Sequence, residues 1–174
     1  MHGQIPAVDL GNGVTSINMG KPGLEWNQVP LSENIPTLEL PIEGSPTATG
    51  MGNPHCTFFV EDAEKINLEE MGPKFENHPL FPERTNVQFA SIIARDQIRM
   101  RVWERGAGVT LASGSSSCAT AVAANRKGLS EKKVQIELDG GILSVDWRED
   151  GVWMTGPTMQ VFTGSFSKEF LKSL

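Results

Sequence analysis

Residues 115–127 constrain this chain more than any other stretch. Cys118, Ala119, Ala121, Val122, Ala123 and Ala124 fill the stretch with small apolar side chains and leave it almost no polar face. A helix that is apolar nearly all round is stable only when enclosed, so the rest of the chain must supply a wall around it. Helix punctuation is present at both ends. Ser116 or Ser117 can cap the start, Arg126 and Lys127 suit the negative end of the dipole, and Gly128 fits the position just past the last turn.

The wall reads as short strands. Ile98, Met100 and Val102 share one face of an alternating run, with Arg99 and Arg101 on the other. Residues 86–90 alternate likewise, residues 57–60 read as a strand ending at Glu61-Asp62, and Asn12-Gly13 marks a hairpin turn before residues 14–17. Residues 134–138 turn at Asp139-Gly140-Gly141 into 143–147, and Asp150-Gly151 leads on into 152–155. That is an antiparallel meander rather than a series of βαβ units. Residues 68–78 read as a short helix opened by Pro73. The expected fold is α+β: a mostly antiparallel, β-barrel-like sheet wrapped around one central buried helix. At 174 residues and 39% hydrophobic content the chain can close such a core without staples.

Charge and composition exclude several roles. Fifteen Lys and Arg against 21 Asp and Glu give a net charge of −6, which disfavours a phosphate-binding face for nucleic acid. No apolar run reaches the roughly 18 residues of a membrane span. The opening residues lack the charged and apolar regions of a secretory signal, and two cysteines are too few for a disulfide framework. The expectation is a cytoplasmic protein. His2, His55 and His78 show no zinc spacing with Cys56 and Cys118, so no metal is expected.

Two loops can carry chemistry. Residues 103–108, Trp-Glu-Arg-Gly-Ala-Gly, close a strand, and residues 112–119 place amides and hydroxyls at the start of the buried helix. Such a start favours a carboxylate or phosphate. The plainer alternative is a surface Glu104–Arg105 pair beside capping serines. Gly106-Ala107-Gly108 imitates a dinucleotide fingerprint but lacks the third glycine, and no parallel βαβ unit is expected around it. In Gly52-Asn53-Pro54-His55, His55 is either an acid/base group or the half-buried member of an Asn-Pro turn.

These blocks resemble the second half of diaminopimelate epimerase. Gly52-Asn53-Pro54-His55, His78-Pro79, Phe81-Pro82, Asn86-Val87, Trp103 to Gly108 with Thr110, and Thr155-Gly156-Pro157 occur in the family's order between Asn18 and Gly164. The resemblance implies a two-lobed fold, each lobe a barrel around a helix, and inversion at an amino-acid α-carbon without any cofactor. In that chemistry one thiolate removes the proton and a thiol on the opposite face returns one. Carried over, Ser113 stands at the position of one catalytic cysteine, His55 and Glu104 lie near the proton-transfer pair, and Gly114 and Ser115 bind the reacting carboxylate. Asn53, Asn86, Glu104 and Arg105 read the distal ammonium and carboxylate.

Two departures from the family follow. Ser113 replaces the cysteine of the family's Ala-Cys-Gly, and Cys118, deeper in the helix, matches a non-catalytic position. A serine hydroxyl is far less acidic than a thiol, so Ser113 is expected to carry protons poorly, and Ser113→Ala is expected to cost little stability. The first lobe is expected to be missing, which divides the chain into a remnant of it with a crossover strand (1–22), the second lobe (23–160) and a tail returning toward the absent lobe (161–174). The expected function is LL- to meso-diaminopimelate epimerisation in lysine and cell-wall precursor biosynthesis, with this fragment inactive alone. The alternatives are a non-catalytic amino-acid-binding module and a sibling cofactor-independent racemase. The expected partners are diaminopimelate and, through the uncovered functional face, a second copy in a homodimer.

Overall fold

The computed structural model describes residues 5–172, so His2 lies outside the described residues. The strands are β1 (Ala7–Gly11), β2 (Val14–Asn18), β3 (Thr47–Gly50), β4 (Pro54–Phe59), β5 (Asn86–Ala94), β6 (Gln97–Glu104), β7 (Gly108–Thr110), β8 (Lys133–Leu138), β9 (Gly141–Arg148) and β10 (Gly151–Pro157). The helices are α1 (Leu68–Glu76), α2 (Gly114–Arg126) and α3 (Lys168–Leu171). All ten strands belong to one mixed sheet in the order β1-β2-β10-β9-β8-β6-β5-β4-β3, with β7 folded back on β6. No helix among the described residues is long and apolar enough to cross a membrane.

The apolar stretch becomes α2, and every residue from Ser116 to Ala124 is buried. It packs on β3, β4, β5, β6, β8, β9 and β10. Ile98, Met100 and Val102 project into this core, as their alternation requires, with Val122, Ile136, Val145 and Val152 around them. Each such side chain contributes roughly 1.5–3 kcal/mol by burial. A second core lies on the other side of β4, β5 and β6, where α1 and the loop between β2 and β3 bury Val29, Leu40, Phe58, Phe75 and Phe89. Phe58 stacks on Phe89 with ring centroids 5.0 Å apart. Both faces of these strands are therefore covered, which explains why β5 is buried without a break from Asn86 to Ser91.

Three local expectations need correction. Pro73 lies inside α1 rather than at its first position. Lacking an amide hydrogen, proline there removes a single bond, to the first turn of the helix. Ser116 and Ser117 do not cap α2; Ser113 is the N-cap residue, and Ser117 Oγ donates to the Ser113 carbonyl from within the helix. The third concerns topology. β6 and β8 are parallel with α2 in their crossover, and β4 and β5 are parallel with α1 in theirs. A parallel unit does surround Gly106, and the dinucleotide reading fails on its missing glycine and on the hairpin strand β7 that stands where the fingerprint needs a helix to begin.

Candidate active site

Register gathers the site at one end of the sheet. His55 pairs with Asn86 across parallel β4 and β5, and Val87 pairs with Trp103 across β5 and β6. The start of β4, the start of β5 and the end of β6 therefore meet. Gly106 and Gly108, at φ 77° and 85°, turn the chain from β6 into β7, a backbone region closed to most side chains. The hairpin pairs Thr110 with Val102, within reach of the Glu104 side chain, and four residues later α2 begins.

Ser113 sits in that junction. Its backbone is extended, with φ −149° and ψ 116°, but its hydroxyl does not cap the helix. The Ser113 Oγ lies instead 2.9 Å from Glu104 Oε2 and 2.9 Å from Ser116 Oγ. Glu104 Oε1 accepts a 2.6 Å hydrogen bond from Thr110. The first turn of α2, Gly114 and half-buried Ser115, keeps its amides free of a side-chain cap. Its dipole end is thus available to an anion. Met154 covers Gly114, its sulfur 2.9 Å from where a β-carbon would stand.

His55 is fully buried rather than half-buried. Its Nε2 lies 2.8 Å from Asn53 Oδ1, and its Nδ1 lies 3.0 Å from Gln88 Nε2. Burial, with Arg105's positive charge nearby as the smaller cause, pulls its pKa down to about 3. The ring is neutral at physiological pH. Cys118 is buried in α2 and its thiol is pushed up to about 12, while burial pushes the Cys56 thiol higher still. Neither is a nucleophile or an acid at neutral pH.

Asn86 and Arg105 are joined through the backbone: Asn86 Oδ1 accepts from the Arg105 amide at 3.0 Å, and Asn86 Nδ2 donates to the Pro54 carbonyl at 3.0 Å. One side chain therefore ties the Asn53 loop to the Arg105 loop. The Arg105 guanidinium donates to the Glu83 carbonyl. Four residues to which the sequence assigns no site role complete the site or its support. Gln88, Ser116 and Thr110 hold His55, Ser113 and Glu104. Glu76, buried in α1, accepts from Trp103 Nε1 at 2.6 Å and from Arg84 and the Gly106 amide at 3.0 Å each. A buried carboxylate with three donors fixes the turn that follows β6. Glu76 stands two residues before His78-Pro79. His78 itself accepts a hydrogen bond from the Leu80 amide through Nδ1, in its own turn. Among the described residues no cluster of His, Cys, Asp and Glu suits a metal ion.

A family model described as diaminopimelate epimerase matches residues 47–161. A diaminopimelate epimerase from Rhodospirillum centenum (strain ATCC 51521 / SW) is 50% identical over 165 residues, covering 92% of this chain and 57% of the relative. One from Acidiphilium cryptum (strain JF-5) is 48% identical over 175 residues, covering 97% and 63%. The chain thus spans less than two thirds of the length of these curated relatives. A solved structure described as a predicted epimerase from Pseudomonas aeruginosa superposes with TM-score 0.57 at 18% identity, covering 88% of this chain and 58% of that one. A hydroxyproline epimerase from Agrobacterium vitis, with bound trans-4-hydroxy-L-proline, gives 0.56 at 13% identity, covering 83% and 50%. These two likenesses speak to the fold alone.

Proposed function

The chain belongs to the diaminopimelate epimerase family, and from that premise we propose that its site is one half of a two-base, cofactor-independent epimerase acting between LL- and meso-diaminopimelate. The observation that carries this reading is the placement of Ser113, at the family's proton-carrier position, between the Glu104 carboxylate and the uncapped start of α2. Removing an α-proton builds negative charge that spreads into the adjacent carboxylate. Free amides of Gly114 and Ser115 at a helix start are suited to hold that carboxylate while the charge grows. Asn53, Asn86 and Arg105 take the distal end of the substrate, with Arg105 shaped for bidentate pairing. His55, being neutral, supports this arrangement through its hydrogen bonds rather than by carrying charge.

In this reading the sheet around α2 is a barrel-like lobe spanning 23–160, preceded by a crossover (1–22) and followed by a tail (161–174) that packs against the family's other lobe. Burial of α2 against seven strands supports it. The proposed setting is the cytoplasm and the pathway that supplies lysine and cell-wall precursors. Serine in place of the thiol makes proton transfer at this position very slow, and neither buried cysteine substitutes for it.

Binding and chemistry are separable by experiment. Isothermal titration of the 174-residue chain with diaminopimelate is expected to show binding, while incubation in deuterated water leaves the substrate α-proton unexchanged. Exchange at a rate above that of a host-enzyme-free blank overturns the role given to Ser113. Absence of heat with diaminopimelate overturns the substrate reading.

A further inference from the structure

We propose that Glu76 is the positioning residue of Arg105. It holds the backbone beside Arg105 through the Gly106 amide, and the guanidinium through Arg84 and the Glu83 carbonyl, so that the positive charge is aimed before any substrate arrives. Glu76 is the only Asp or Glu buried among the described residues. A charge so enclosed is retained only when donors surround it, and here each donor can be followed. Oε1 accepts from Arg84 Nη1 and from the Gly106 amide, both at 3.0 Å, and Oε2 accepts from Trp103 Nε1 at 2.6 Å.

Two of the three donors lead to Arg105 by separate routes. The first is short. Gly106 follows Arg105 in the chain, and the Arg105 amide is itself held by Asn86 Oδ1 at 3.0 Å, so consecutive N–H groups are fixed by two different side chains. The second runs through residues 77–85, the loop that contains His78-Pro79 and Phe81-Pro82. Glu76 closes this loop at its neck: its carbonyl accepts from the Thr85 amide at 3.2 Å while its carboxylate holds Arg84. Arg84 stands at φ 60°, a left-handed region that a residue with a side chain seldom adopts without outside support. The peptide unit joining Glu83 to Arg84 is held at both ends. The Arg84 amide donates to the Phe81 carbonyl at 2.8 Å, and the Glu83 carbonyl accepts from Arg105 Nη1 at 2.9 Å. The backbone of Arg84 thus decides where the Glu83 carbonyl points, and that carbonyl decides where the guanidinium rests.

The remaining N–H groups of the guanidinium have no partner among the described residues. Its charge is felt at His55, which places it beside the site rather than out on the surface. A long side chain that is already ordered meets an anion without the rotamer entropy that an unheld arginine would lose. That this anion is the distal carboxylate of diaminopimelate rests on the function proposed above; the route from Glu76 to Arg105 does not.

The test is proton exchange at the Arg105 guanidinium, followed by nitrogen-15 NMR of the intact 174-residue chain at pH 6 and assigned by the signal's loss in Arg105→Lys. Slow exchange is expected in the unsubstituted chain, and exchange as fast as that of free arginine overturns the proposal without any variant having to fold. Arg84→Gly cuts the ion pair with Glu76 and suits the left-handed backbone, so the chain is expected to stay folded while Arg105 exchanges about tenfold faster, the effect of losing one hydrogen bond to a charged group. Glu76→Ala is expected to speed it likewise and to shift the Gly106 amide, with the Gly114 and Ser115 amides unmoved. An Arg105 signal unchanged in Arg84→Gly makes Glu76 a stabiliser of its own surroundings only and overturns the positioning role. None of these results depends on diaminopimelate binding, whose failure would instead count against the epimerase reading.

Discussion

At Ser113 two local fields oppose one another. The uncapped start of α2 favours an anion, while the Glu104 carboxylate, 2.9 Å away, disfavours one. In a Ser113→Cys background, Glu104→Gln should therefore lower the thiol pKa by roughly 1–3 units. The pH dependence of iodoacetamide alkylation reads this directly, because Cys56 and Cys118 are buried and stay unreactive; an unmoved profile would contradict the geometry. Ser113→Ala, expected from the sequence to be mild, now removes a buried donor to Glu104 and a partner of Ser116. Urea denaturation should show a loss of about 1–3 kcal/mol. The sequence exposed Ser113, Glu104 and His55 through local motifs, but hid Gln88 and Ser116, whose roles come from register between β4, β5 and α2. His55 also predicts an acid response. Its folded pKa of about 3 lies below its ordinary 6.5, so from pH 6.5 downward the unfolded chain takes a proton that the folded chain refuses. Stability present above pH 6.5 should fall by about 1.4 kcal/mol per unit as pH drops toward 3. Comparing denaturation of His55→Gln with the parent across pH 4–7 isolates that slope, and parallel curves would refute the buried neutral ring.

Among the elements, α2 was legible from its unbroken run of small apolar residues and its punctuated ends, and the alternating strands from the two-residue period that survives in the sequence. Strand direction was not. Alternation is the same in parallel and antiparallel pairs, so the β4·β5 and β6·β8 pairings and their helical crossovers stayed hidden. The capping of α2 was misassigned for a related reason: Ser113, Ser116 and Ser117 are equally good caps by type, and only the turn after β7 decides among them. Two glycines give a contrast at this scale. A methyl at Gly72 falls on the indole of Trp103, which Glu76 pins from the other end, whereas one at Gly114 meets the flexible Met154 side chain. Gly72→Ala should cost about 1–3 kcal/mol despite the better helix propensity of alanine, and more than Gly114→Ala. Thermal denaturation of the two variants checks the order, and the reverse order would remove Glu76 and Trp103 as the rigid support of the Arg105 turn.

For the whole molecule, two cores on opposite sides of β4–β6 leave the functional end of the sheet fixed, while the chain after β10 lies outside both. Met159, Val161, Phe162 and Phe166 are 73–86% exposed there. Apolar surface of this kind seeks cover. The 174-residue chain by itself should therefore self-associate, and sedimentation should show a dimer that Phe162→Ser with Phe166→Ser disperses; a monomer at every concentration would contradict it. The central claim concerns proton transfer, and one measurement meets it head on. The chain is joined behind the part of the Rhodospirillum centenum relative that precedes its matched region, once with Ser113 and once with Ser113→Cys, and deuterium uptake into the α-carbon of LL-diaminopimelate is followed. If residue 113 is the carrier, the cysteine version exchanges and inverts the substrate while the serine version stays close to the blank; equal rates from the two would show that the proton travels elsewhere.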